Sequence, residues 1–291
     1  MQLQDKKPYG YLTYALNYDI DYESIALLWA YSVRSTHVKC PALAVIVNDA
    51  KKCRKELHDV FDYVISVQKR DVVNPMQYEC DILKLTPFKE TVKFEADMLL
   101  TSDISIWQRY FRLRDLCFTG HVCNFNQQKV SDAKYRKFLR ANALPNVYQG
   151  LYYVRVTRET NKFMRTADKV FSVWEDEIKQ LRMFDKFEPS TDFAFSIALD
   201  RCDMNDCVSK HTIPSFIHVK KNITEEYDWD KITWSLIKNK YMIVNGTRLS
   251  LPLHYYNKNF CTEKLIESYR YAVSVSYTHL RAHETSLHLV C

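Results

Sequence analysis

Apolar runs of strand length and apolar stripes of helical period alternate along the first hundred residues. "YGYLTYAL" (Tyr9–Leu16) is an unbroken run of aromatic, aliphatic and small residues, the pattern of a buried strand. After the polar "NYDID", the stretch "YESIALLWAYSVRS" puts Ile25, Leu28, Trp29, Ser32 and Val33 on one helical face. "PALAVIVN" (Pro41–Asn48) is a second strand. "DAKKCRKELHDVF" reads as a helix with Asp49 as N-cap and Ala50, Cys53, Leu57, Val60 and Phe61 inward. "DYVISV" (Asp62–Val67) is a third strand, "PMQYECDILKL" a helix opening on Pro75, and "ETVKFEAD" a fourth strand ending on acids. This alternation predicts an α/β fold, a mostly parallel central sheet flanked by helices. Ligands in such sheets bind beyond the carboxyl ends of the strands.

The second half mixes periods. "FTGHVCNFN" is a strand carrying a turn, and "SDAKYRKFLRANALP" a helix capped by Ser131 with Pro145 just past its end. "NVYQGLYYVRV" is a strand with one glycine; "RETNKFMRTADKVFSVWEDEIKQLRMF" is a long helical stretch. "STDFAFSIALDR" is a further helix, "IPSFIHVK" a strand, and "YMIVNGTRLSLPLHYYNK" a hairpin around Asn245-Gly246. "TEKLIESYRYA" closes the pattern as a helix. No repeat or low-complexity linker divides the chain, so residues 1–273 are expected to form one domain. Its front half, 9–103, would bind nucleotide, and its back half, 104–273, would carry the acceptor and metal side. The stretch "SVSYTHLRAHETSLHLVC" reads as a translated sequencing adapter, as found on metagenomic genes, and 274–291 is set aside from the fold.

Composition narrows the function. With four glycines, neither GxGxxG nor GxxxxGK[ST] occurs, which excludes glycine-rich phosphate loops. The net charge of +6 suits an anionic partner such as a phosphate without demanding nucleic acid. No apolar h-region opens the chain and no run of about twenty apolar residues occurs, so neither export nor a membrane is expected. Scattered cysteines then fit reduced thiols and a cytoplasmic location.

The chemistry concentrates at the end of the fourth strand. Read as strand residues, Glu95 and Asp97 point to one side. Two close carboxylates repel, and one takes a proton unless a cation lies between them. Mg²⁺ and Mn²⁺ prefer oxygen ligands, and Mg²⁺ is typically shared between one or two carboxylates and substrate phosphates.

Thr86-Pro87-Phe88 followed by Glu95-Ala96-Asp97-Met98-Leu99 resembles the D-x-D region of glycosyltransferases of the GT-A (Rossmann-like) fold, glycogenin-like and phage enzymes in particular. Glu95 departs from that pattern, standing where the family has its first Asp. The resemblance implies a sheet as above with a smaller mixed second half. It implies Asp97 as metal ligand, Glu95 as ligand or donor-ribose contact, and Mn²⁺ or Mg²⁺ as cofactor. "LPLHYYNK" is similar to the segment that supplies a third ligand, here His254, with Lys258 neutralising diphosphate; the alternative for His254 is packing among aromatics. "LPNVYQGLYYVR" is similar to a strand whose small residue, Gly150, admits a sugar; the alternative is a plain bulge. "PSTDFAFSIAL" is similar to the family's acidic helix start facing the sugar, which implies that Asp192 binds sugar hydroxyls or acts as base; the alternative is an acid favoured at a helix start by the macrodipole. Thr13, Tyr14 and Ala15 end the first strand, where base and ribose would lie, though Tyr14 suits the core equally. Lys84 and Lys93 are candidate phosphate partners, Lys93 alternatively forming an internal ion pair.

The function implied is metal-dependent glycosyl transfer from a UDP- or GDP-sugar to a hydroxyl on a hydroxymethylated DNA base or a surface glycan. DNA would use Lys220, Lys221, Arg109, Arg112 and Arg114 as phosphate contacts, unless these are simply solvated. Two rivals remain. A nucleotidyltransferase wants a glycine-rich loop after the first strand, but Gly10 reads as preceding that strand. The other is a non-catalytic phage adaptor retaining the fold.

Overall fold

The structure, a computed structural model, describes residues 3–130, 136–182, 188–211, 213–220, 233–237 and 241–287. Ser131 and Lys221 lie outside the described residues. In chain order the strands are β1 (Lys7–Ala15), β2 (Ala42–Val47), β3 (Tyr63–Ser66), β4 (Phe88–Phe94), β5 (Met98–Leu99), β6 (Leu116–Thr119) and β7 (Tyr148–Arg155). The last five are β8 (Ile217–His218), β9 (Trp234–Ile237), β10 (Tyr241–Val244), β11 (Thr247–Arg248) and β12 (Leu253–His254). The main sheet has the order β3-β2-β1-β4-β7-β6. Strands β1 to β4 pair in parallel, and β7 runs antiparallel to both β4 and β6. Two small sheets complete the described architecture, β5-β12-β8 and the meander β11-β10-β9.

The helices are α1 (Tyr22–Thr36), α2 (Lys55–Val60), α3 (Ile82–Leu85), α4 (Trp107–Phe111), α5 (Lys137–Ala141), α6 (Arg158–Ser172), α7 (Trp174–Lys179), α8 (Thr191–Arg201) and α9 (Glu263–Leu287). Each face of the main sheet carries its own apolar core. Tyr11, Val45, Val92 and Phe94 pack with α1 and α9 on one side, and Leu12, Ile46, Tyr152 and Val154 with α6 and α8 on the other. Helix α1 is buried from Ile25 through Val33 because α9 lies against it as well as the sheet. The periodic face read from sequence was therefore only half of what is covered.

Several local readings change. Asp49 caps no long helix; its carboxylate accepts from Lys51 N–H at 3.0 Å in a turn, and α2 begins only at Lys55. Pro75–Asp81 winds as a 3-10 helix, with Asn74 accepting from Met76 N–H. The long stretch from Arg158 breaks at Val173 into α6 and α7. Gly10 lies inside β1, not before it. Asn245 (φ 48°) and Gly246 (φ 76°) do form the tight turn between β10 and β11, both in the left-handed region that a type I′ turn requires. Leu253 and His254, however, leave that hairpin and join β5 and β8. Helix α9 crosses Ser274 without a break, and burial among its described side chains ends at Val273. Among the described residues no helix is long and apolar enough to cross a membrane.

Candidate active site

Strand β4 stops at Phe94, one residue before the acids. Glu95 N–H donates to the Gly150 carbonyl at 2.8 Å, and Met98 N–H donates to the Glu95 carbonyl at 3.2 Å. Glu95 and Asp97 are thus the first and third residues of a turn, not alternate residues of a strand as their spacing suggested. They converge because the turn feeds β5, which pairs antiparallel with β12 and sets His254 opposite Met98. Tyr255 N–H donates to the Asp97 carbonyl at 3.2 Å and fastens that register.

His254 Nε2 lies 3.1 Å from Glu95 Oε2 and 3.0 Å from Asp97 Oδ2. One ligand atom from each of the three residues falls within 4.8 Å of the others. Lys258 Nζ donates to the same Asp97 Oδ2, with the Tyr22 and Tyr256 ring centroids 5.8 and 5.3 Å away. Burial alone would raise the pKa of Asp97, but His254 and Lys258 outweigh it and hold the carboxyl well below its usual range. Burial alone would lower the pKa of His254, but Asp97 and Glu95 outweigh it and raise it. Lys258 follows the same logic, with Asp97 overcoming the cost of burial. Asp97, His254 and Lys258 therefore favour one another's charged forms. Two carboxylate oxygens with one imidazole nitrogen are a donor set that fits a divalent ion.

The other expected residues are placed as follows. A Cβ on Gly150 would stand 3.0 Å from both Glu95 Oε2 and Met98 Cε, so this glycine makes room for the Glu95 carboxylate. A register shift at Phe118/Thr119 on the facing strand also marks the neighbourhood as irregular. Asp192, in the first turn of α8, accepts from Gln149 N–H at 2.8 Å and from Arg136 at 2.7 Å. Thr13 and Ala15 are wholly buried, with Thr13 Oγ1 donating to the Phe94 carbonyl at 3.0 Å. The side chains of both are covered by the fold. The Tyr14 hydroxyl turns inward to the Tyr78 carbonyl at 3.5 Å, the core alternative. Lys84 pairs with Asp81 at 2.6 Å. Lys93 takes the ion-pair alternative, buried against Glu79 at 3.0 Å. Arg112 and Arg114 are paired with Glu90 and Asp206, and Lys220 lies 4.8 Å from the Tyr256 ring centroid.

Sequence reasoning missed Gln149 and His218. Gln149 Nε2 donates to Glu95 Oε1. The His218 ring stacks on His254 with centroids 4.5 Å apart and planes at 15°, because β8 pairs with β12 at that register. Each is a polar residue inside an apolar strand pattern, the one signal that could have flagged it.

Glu79 supplies a pH-dependent prediction. Burial pushes its carboxyl up from 4.5 to about 7, partly offset by Lys93. Across that window the folded chain holds a proton that the unfolded chain has released, so stability falls as pH rises. Glu79→Gln is expected to flatten this loss, on the order of 3 kcal/mol, as measured by urea unfolding at pH 5 and pH 8.

No family model and no curated protein matches the sequence. Among solved structures the chain is similar to the apo-form glycosyltransferase GlyE of Streptococcus pneumoniae TIGR4, at 10% identity and TM-score 0.46, over 94% of this chain. It spans 64% of the GlyE chain. It is also similar to the galactosyltransferase LgtC in complex with donor and acceptor sugar analogues, at 12% identity and TM-score 0.47, over 91% of this chain and 95% of that one. Mouse xyloside xylosyltransferase 1 in its apo form shares 11% identity at TM-score 0.42, over 68% of this chain and 83% of that one. At these identities and TM-scores the likeness says nothing of chemistry, which rests on the side chains around Asp97.

Proposed function

We propose that the protein is a metal-dependent glycosyltransferase that moves a sugar from a UDP- or GDP-linked donor to a hydroxyl. The observation supporting this is the convergence of Glu95, Asp97, His254 and Lys258 just past the carboxyl end of β4, the position ligands take in open α/β sheets. Glu95, Asp97 and His254 would hold Mn²⁺ or Mg²⁺, which when bound supplies Lewis-acid neutralisation of a diphosphate leaving group. The chain's own residues do the rest. His254 Nε2 lies between the two acids, so a proton held there would have to leave before that nitrogen could ligate. Lys258 donates to Asp97 Oδ2, so with a metal held at this carboxylate its ammonium would be the cation placed to meet a phosphate oxygen. Tyr22 and Tyr256 flank that ammonium and limit where it can swing. Asp192 anchors the backbone of Gln149 beside Glu95. Arg112 and Arg114 are already neutralised by acids, which favours a glycan hydroxyl over a DNA acceptor.

Thermal melts with Mn²⁺, UDP and GDP test this reading. Mn²⁺ alone is expected to stabilise the chain, and UDP or GDP only when Mn²⁺ is present, adding about 2.7 kcal/mol at a hundredfold excess over Kd. A panel of nucleotide sugars should then release the nucleoside diphosphate. Pyrophosphate release from a nucleoside triphosphate would point instead to nucleotidyl transfer, and no response to any nucleotide to a non-catalytic adaptor.

A further inference from the structure

The geometry points to Gln149 as the positioning residue that sets the Glu95 carboxylate, and with it the affinity of the metal site; this rests on the metal-dependent reading above. Gln149 belongs to β7, where hydrogen bonds from both its backbone and its side chain fix it. Its backbone N–H donates to Asp192 Oδ1 at 2.8 Å. Its side-chain Oε1 accepts from Lys93 Nζ, and its Nε2 donates to Glu95 Oε1. The amide has no freedom to flip. An ammonium only donates and a carboxylate only accepts, so the oxygen must face Lys93 and the nitrogen Glu95. Lys93 is itself immobilised, buried with Glu79 at 3.0 Å.

One Glu95 oxygen is therefore tied to Gln149, which leaves Oε2 aimed at His254 Nε2, 3.1 Å away. Gly150 supplies the space that this arrangement needs. Glutamate has more rotamers than aspartate, and a glutamate free to sample them must be ordered afresh whenever it ligates. Asp97 is placed differently, held directly by His254 and Lys258. Glu95 is thus the ligand whose place is delegated to a neighbour. Removing such outer partners typically costs ten- to a hundredfold in metal affinity.

Calorimetric titration of Mn²⁺ into the full chain tests this with Gln149→Met, Gln149→Asn, Glu95→Gln and Asp97→Asn. Both Gln149 variants are expected to bind about ten- to a hundredfold more weakly, with melting temperatures near wild type in the absence of metal. Gln149→Asn keeps an amide but withdraws it from Glu95, and stands in should Gln149→Met fail to fold. In a Glu95→Gln background the Gln149→Met change should cost under about twofold, because its effect runs through Glu95. A general structural defect would instead cost the same in both backgrounds, overturning the inference. Wild-type affinity in the Gln149 variants beside loss of binding in Asp97→Asn overturns it too, and leaves the metal reading standing. Absence of Mn²⁺ binding by the wild type overturns both.

Discussion

Asp97→Asn is expected to abolish Mn²⁺-dependent nucleotide binding and to slow sugar transfer by about a thousandfold or more, roughly 4 kcal/mol of transition-state stabilisation. The size of the effect follows from position. Asp97 is buried, and one of its oxygens meets both His254 Nε2 and Lys258 Nζ. Asparagine keeps the shape but removes the charge, so the site loses a ligand and the imidazolium and ammonium lose their shared counter-ion. The melting temperature without ligands should also fall, because a partly buried ammonium is left facing a neutral amide. Melts with and without Mn²⁺ and nucleotide, followed by turnover, read both effects. An unchanged metal-dependent shift would sink the assignment of this carboxylate.

Gly10→Ala is expected to produce a large loss of stability, roughly 3 kcal/mol. A Cβ on Gly10 would stand 2.3, 2.4 and 2.5 Å from three atoms of the Phe88 ring. That ring is fully buried and meets Tyr63 edge-on at 5.7 Å, so it has nowhere to retreat. The backbone cannot yield either, since β1 is bonded on both sides and Gly10 lies opposite Ala42 and Thr91. Urea unfolding measures the loss, and Phe88→Leu in the Gly10→Ala background should recover part of it. A neutral Gly10→Ala would mean that the Phe88 ring is mobile. This glycine serves packing within a strand, and so answers differently from the loop glycine a nucleotidyltransferase would need.

The two kinds of information separate cleanly at the site. Local periodicity determined the order of strands and helices through β4, because a residue's burial is written in the spacing of its apolar neighbours. It also placed the acids at the end of the fourth apolar run, while His254 and Lys258 were reached only through the resemblance of "LPLHYYNK" to a glycosyltransferase segment. Spacing misled where the backbone leaves the strand, since Glu95 and Asp97 owe their meeting to a turn and not to a pleat. Periodicity likewise missed the second covered face of α1, which depends on α9 folding back from the far end of the chain.

Which side chains meet was settled by strand pairing. His254 reaches Asp97 across 157 positions, and Gln149 reaches Glu95 across 54. No spacing rule spans such separations, because they are set by which strands pair and in what register. Lys93 shows the same limit. Its sequence allowed a phosphate or an ion pair, and the choice fell to Glu79, brought opposite by the packing of the 3-10 helix against the sheet. Residue order alone dictated which groups could carry charge and the succession of strands and helices through β4. Assembly of the sheets decided which of those charges share one cleft, because burial forces each to find a partner and only the folded register offers one.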